Sequence, residues 1–266
     1  MFVERNQREM SGRWFGGGYD ELGIDVKLVR AEADPIVLGT SAPSVKMGST
    51  TPALSIFGAN LPVRLRPAMV SIGQGIKVTR ITSASPGVVT VALEVAADAT
   101  PGPRDLVIAG AHLPAALTVY DKVDSVRVLP QAGFARVGGA VFPKQLQQFE
   151  AVAFHNGPDG QANTSDDWNL GLVDARWTME EYAATFSDDD TRFVGTLDVE
   201  TGLFTPAIDG PNPERSGLRN NVGDVWVVAE VAADPARGIA NQIRSRGHLV
   251  VSVPVYVDWA ASETGR

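Results

Sequence analysis

Residues 156–169 read NGPDGQANTSDDWN and set three carboxylates, Asp159, Asp166 and Asp167, among glycine, asparagine, threonine and serine. Oxygen ligands at this density on a short loop are what a hard cation such as Ca2+ requires. The EF-hand form of such a loop is D-x-[DN]-x-[DN]-G-x5-E. Here Gln161, Asn163 and Ser165 take the places of its acidic partners and no glutamate closes the loop. A different calcium loop stays open, in which Asp159, Asn163 and Asp166 or Asp167 converge on one ion. Against it stands ordinary turn chemistry: Asp and Asn next to Gly, Ser or Thr bond to their own backbone, and Pro158 presets φ. The sequence therefore predicts a loop closed on itself and assigns it no metal. The Asn163-Thr164-Ser165 triplet has the form of a glycosylation acceptor, a pattern too common to specify anything.

Other groups with chemical potential stand apart from one another. His112, His155 and His248 are isolated in sequence, with no local metal-ligand spacing, and read as polar or packing residues at strand edges. The acidic run SDDDTR at 187–192 reads as a solvated loop. GRWFGGGYDE at 12–21 has glycines enough for a phosphate loop, but neither G-x-G-x-x-G before a helix nor a following lysine. Trp14, Phe15 and Tyr19 there suit an edge hairpin packed on a neighbour, which would be the stickiest part of the chain. No glycine-framed serine supports a hydrolase. With no cysteine, the chain has no disulfide, thiolate ligand, cysteine nucleophile or c-type haem attachment. No residue is assigned to catalysis, cofactor binding or metal binding.

The elements that would carry these residues are strands. The chain has 266 residues, room for about two domains. Its 27 glycines and 17 prolines break short apolar runs at about 8–12-residue spacing, as in sandwiches and barrels. Alternation marks 23–30, 52–58, 88–95, 104–110 and 117–121 as half-buried strands, and 149–156, 223–231 and 248–259 as longer ones. Trp226, Tyr256 and Trp259 are available for a second core. The fold class is thus all-β, two sandwich or immunoglobulin-like domains in tandem. One short helix is expected at 178–186, with Thr178 as cap and Met179, Tyr182 and Phe186 on one side. Asp34-Pro35 and the charged stretch 120–130 mark boundaries, giving 34–121, 122–266, and a leading segment 1–33 that ends a preceding β domain or forms an edge hairpin.

Charge limits the partners. With 31 acidic against 23 basic residues and a formal net charge of -8, the chain repels phosphate backbones and anionic bilayers. Its apolar runs are shorter than the roughly 20 residues of a membrane span. The first residues, MFVERNQREMSGRWFGGG, lack an apolar core and a small-residue cleavage site, so no secretory signal is read there.

Three stretches carry a family resemblance. They are GRWFGGGYDELGIDVKLVR (12–30), GPDGQANTSDDWNLGLVDARWTMEEY (157–182) and DDDTRFVGTLDVETGLFTPAIDGPNPERSGLRNNVGDVWVVAEV (188–231). They resemble the carboxy-terminal half of the α subunit of quinohemoprotein amine dehydrogenase, and the likeness extends over nearly the whole chain. It implies that the chain starts at the end of that subunit's second domain and contains the third and fourth. It further implies a periplasmic scaffold, partnered by a haem-bearing domain or subunit and by the other dehydrogenase subunits. Haem c and the tryptophan-derived quinone would be carried by those partners, and oxidative deamination of primary amines would proceed there. An adhesion or carbohydrate-binding module is the alternative, with Trp168 and Trp177 beside the acidic loop as its platform.

Overall fold

The computed structural model describes residues 2–3, 9–15, 23–183 and 188–254. Tyr19, Phe186, Tyr256 and Trp259 lie outside them. The chain is all-β, as its alternation predicts.

The leading segment forms a three-stranded antiparallel sheet from Phe2–Val3, Glu9–Phe15 and Gly23–Val29. Its register sets Met10 opposite Leu28, Gly12 opposite Val26 and Trp14 opposite Ile24. Because side chains alternate across a strand, these six fall on one face and Glu9, Ser11, Arg13, Asp25 and Lys27 on the other. Ion pairs cross the polar face, Lys27 to Glu9 at 2.9 Å and Arg13 to Asp25 at 3.3 Å. The apolar face is open: Trp14 is 54% exposed and Ile24 62%.

Two sandwiches follow, each with its own core. The first packs one sheet, in the order Ile36–Thr40, Thr50–Ala59, Val88–Val95, Ile76–Ala84, over a second, Ser44–Lys46, Ala111–Tyr120, Gly102–Ile108, Val70–Ser71. Leu54, Ile56, Val91 and Leu93 from one face meet Leu106, Ile108, Leu117 and Val119 from the other. The second joins Ser125–Leu129, Glu150–His155 and Trp168–Leu172 to a sheet ordered Ala132–Arg136, Ile243–Ser252, Gly223–Val231, Arg176–Glu181. A small sheet of Gln147–Gln148, Leu203–Pro206 and Gly195–Leu197 closes one side. Val128, Phe149, Trp177, Phe204, Val227 and Leu249 fill this core. In both sandwiches the last strand is interior to its sheet and pairs in parallel with an early strand, Thr118 with Ser44 and His248 with Ala132.

Over the described part of the helix expected at 178–186, residues 178–183, no helix is formed. Arg176–Glu181 is a strand paired with Gly223–Val231, Thr178 opposite Val228. Trp177 is buried and Met179 packs on the core, while Thr178 and Glu180 face out. Period-two burial therefore overrides the helical spacing of Met179 and Tyr182. Among the described residues the one α-helical turn is Asp190–Phe193. Trp226 is also displaced from its expected place: it lies on the outer face of the sheet, tilted against Tyr182 at 4.9 Å and beneath the Arg246 guanidinium at 4.1 Å.

Candidate functional site

The 156–169 loop grows out of the strand ending at His155 and returns into Trp168. Each carboxylate finds donors within it. Asp159 Oδ1 accepts from the Gln161 N–H at 2.7 Å, and Asp166 accepts from the Asp159 N–H at 3.2 Å and the Thr164 hydroxyl at 2.8 Å. Asp167 accepts from the Asn163 N–H at 2.8 Å and is ion-paired with Arg127; its side chain is 2% exposed. The Thr164 hydroxyl, followed by the Asp159 N–H, holds the Asp166 carboxyl below its ordinary value. Gly157 has φ +61, and a Cβ there would lie 2.2 Å from the Asp166 carbonyl oxygen, so only glycine closes this turn. Turn chemistry thus accounts for the three aspartates.

At the root of the loop lies the joint between the two sandwiches. The ring of His155, itself buried, stacks on Trp168 with centroids 4.7 Å apart and planes 16° apart. His155 Nδ1 accepts from the Gly157 N–H at 3.0 Å, which leaves the proton on Nε2, 3.1 Å from Asp121 Oδ1. Asp124 Oδ2 accepts from the Asn156 N–H and lies 3.8 Å from Nδ1. Burial pushes the Asp124 carboxyl up, but the Asn156 N–H and the Lys122 ammonium outweigh it and hold it low. Trp168 reaches into the first sandwich, where a Cβ on Gly102 would lie 3.6 Å from Cη2. The Ser44 hydroxyl donates to the Leu170 carbonyl, and the Tyr120 hydroxyl to that of Arg237 at 3.3 Å. Gly171 (φ +100) faces Pro43 so closely that a Cβ would lie 2.8 Å from Cγ. Pro43, Ser44, Tyr120, Leu170, Gly171 and Arg237 line a cleft of about 400 Å3. Trp168 is therefore part of the joint and Trp177 part of the core, so the two do not form a platform for a sugar.

The acidic run 187–192 differs from its reading as a solvated loop. Asp188, Asp189 and Asp190 bring carboxylate oxygens within 4.8 Å of one another, the group of this kind among the described residues. Its counter-charge is Arg215, whose side chain is 1% exposed. That guanidinium pairs with Asp190 and, at 2.8 Å, with Asp189, and donates to the carbonyls of Asn220 and Val222. Asp190 also accepts from the Asp224 N–H at 2.9 Å. Burial lowers the Arg215 pKa, but the two carboxylates more than restore it, so it stands above its ordinary value. Burial, with Asp190, Glu181 and Asp224 nearby, pushes Asp188 up. A charge run alone does not reveal this pairing, because Arg215 lies 25 residues away in PNPERSG.

Family comparison joins these observations. The model of quinohemoprotein amine dehydrogenase alpha subunit domain III matches residues 34–121, and that of domain IV matches residues 126–263. The chain belongs to the quinohemoprotein amine dehydrogenase alpha-subunit family. Within that family its two sandwiches are domains III and IV, and the joint built around His155 and Trp168 is the III–IV joint. No curated protein matches the chain in sequence. Among solved structures, mouse clustered protocadherin PcdhgC3 EC1-3 is 16% identical, with a TM-score of 0.31, 89% of this chain and 73% of that one covered. The Bacteroides ovatus mixed-linkage glucan utilization locus protein SGBP-B, in complex with a heptasaccharide, is 11% identical, with a TM-score of 0.31 and 96% and 59% covered. Zebrafish RET cadherin-like domains 1 to 4 are 12% identical, with a TM-score of 0.32 and 92% and 57% covered.

With no cysteine, the sequence lacks the attachment residues of a c-type haem. Each histidine already has a carboxylate on Nε2: Asp105 for His112, Asp121 for His155 and Asp224 for His248. Among the described residues, no helix is long and apolar enough to cross a membrane.

Proposed function

We propose that this chain is a non-catalytic structural part of a quinohemoprotein amine dehydrogenase, working in the periplasm. It scaffolds the haem-bearing and quinone-bearing parts while primary amines are oxidatively deaminated on those partners. The observation that carries this reading is the match of both sandwiches to two successive domains of one subunit, in a chain without a cysteine for haem. The sheet of Phe2–Val3, Glu9–Phe15 and Gly23–Val29 is the end of a preceding β domain or an edge hairpin. Its apolar face, with Trp14, Ile24 and Leu28 open, is a place where another part of the assembly is held.

The test is a pull-down of the tagged chain from its source organism grown on a primary amine, with mass spectrometry and a haem absorbance scan. Co-elution of a c-type cytochrome polypeptide and a small quinone-bearing subunit is expected. A colourless protein without either partner would overturn the scaffold role.

A further inference from the structure

At the III–IV joint the two ring nitrogens of His155 make hydrogen bonds that differ in kind, Nδ1 accepting from Gly157 and Nε2 facing Asp121. We propose that His155 makes the III–IV joint pH-sensitive: neutral, it is locked to Gly157; protonated, it swings to Asp124 and loosens the contact of Trp168 with Gly102.

The inference rests on the acceptor at Nδ1. Only the neutral ring can accept the Gly157 N–H, 3.0 Å away. Once Nδ1 carries a proton, two N–H groups face each other and the contact becomes repulsive. A second acceptor is already at hand, since Asp124 Oδ2 lies 3.8 Å from the same nitrogen. The Nε2 side needs no rearrangement, because it donates to Asp121 in both states. The charged groups facing the ring are Asp121 and Asp124 from the interdomain linker; Lys122 pairs with Asp124, Asp166 stands behind Gly157, and Arg104 of domain III lies beside Gly102. Trp168 is stacked on the imidazole with planes 16° apart, so a swing of that ring out of its plane toward Asp124 changes the stack. Trp168 in turn lies against the Gly102 backbone of domain III, so the movement crosses the joint.

Histidine ordinarily changes charge between about pH 5 and 8, and the test spans that range. In an NMR titration of the full chain, the His155 ring, the Gly157 amide, the Trp168 indole and the Gly102 amide are expected to shift with one midpoint. His155→Gln keeps a neutral acceptor for Gly157 and a donor for Asp121, and should abolish the response at the other three positions. Asp124→Asn removes the carboxylate that receives the imidazolium and should move the common midpoint to lower pH. A titration of His155 that leaves Gly157 and Gly102 unmoved overturns the proposal, as does a pH response that persists in His155→Gln. Should His155→Gln fail to fold, the wild-type coincidence of midpoints and the direction of the Asp124→Asn shift decide the question.

Discussion

Replacing Arg215 by methionine should cost domain IV more than any surface ion pair could. The side chain is 1% exposed, and its removal leaves Asp190, itself 6% exposed, as an uncompensated charge inside the domain. It also frees the carbonyls of Asn220 and Val222, which Arg215 holds at 2.9 and 2.8 Å. Breaking one side of such a pair costs about 3–5 kcal/mol. For a unit of roughly 130 residues that is a fall in Tm on the order of 10–20 °C. Urea unfolding followed by circular dichroism reads it as a lower midpoint with an unchanged slope. Arg215→Met combined with Asp190→Asn removes the orphaned charge while an amide oxygen still accepts the Asp224 N–H. That double variant should recover on the order of 2 kcal/mol relative to additivity. A loss below about 1 kcal/mol in the single variant, the range of exposed pairs, or strict additivity in the double, would refute the argument that this pair acts as a buried unit.

Three further outcomes follow from the geometry. Gly171→Ala must place a Cβ against Pro43 at a φ that disfavours side chains; it should loosen the III–IV joint, read as faster amide exchange around Ser44 and Leu170, with both cores intact. Asp166 is held below its ordinary value, so its contribution is complete above the unfolded carboxyl's pKa and is lost as pH falls through the lower folded one. Protection of the Asp159 amide should collapse in that acidic window, and Asp166→Asn should show the loosened loop already at pH 7. Asp188 has the opposite sign: its pKa is raised, so its ionised form is disfavoured in the fold at neutral pH. Asp188→Asn should raise Tm at pH 7, and the gain should vanish in acid, below the ordinary carboxyl value of 3.8, where both side chains are neutral.

Where burial follows the chain with period two, the sequence was readable. The strands Val88–Val95 and Gly223–Val231 have the bounds their alternation predicts. The helix expectation at 178–186 arises because Thr178, Glu180 and Glu181 imitate a helix start, whereas the cue that decides the strand Arg176–Glu181, Trp177 and Met179 two apart, begins one residue before it. At the site, the loop's self-bonded nature was legible from residue types alone, since Asp, Asn and Thr at those spacings bond locally. The joint was not legible: His155 and Trp168 meet only through strand pairing, Asp121 reaches them from the linker, and nothing near Asp190 in sequence announces Arg215. Interactions over long separations leave no local periodicity to read.

The placement of each domain's last strand has a consequence for synthesis. Ala111–Tyr120 and Ile243–Ser252 are interior strands of their sheets, so neither sandwich can assemble until its own final segment has left the ribosome. Domain III is complete at Tyr120, and domain IV only about 130 residues later. At a translation rate of about 5–20 residues per second that is an interval of roughly 7–26 s. During it, Trp168, Leu170 and Gly171 emerge beside a finished domain III, whose half of the joint is already in place as a template.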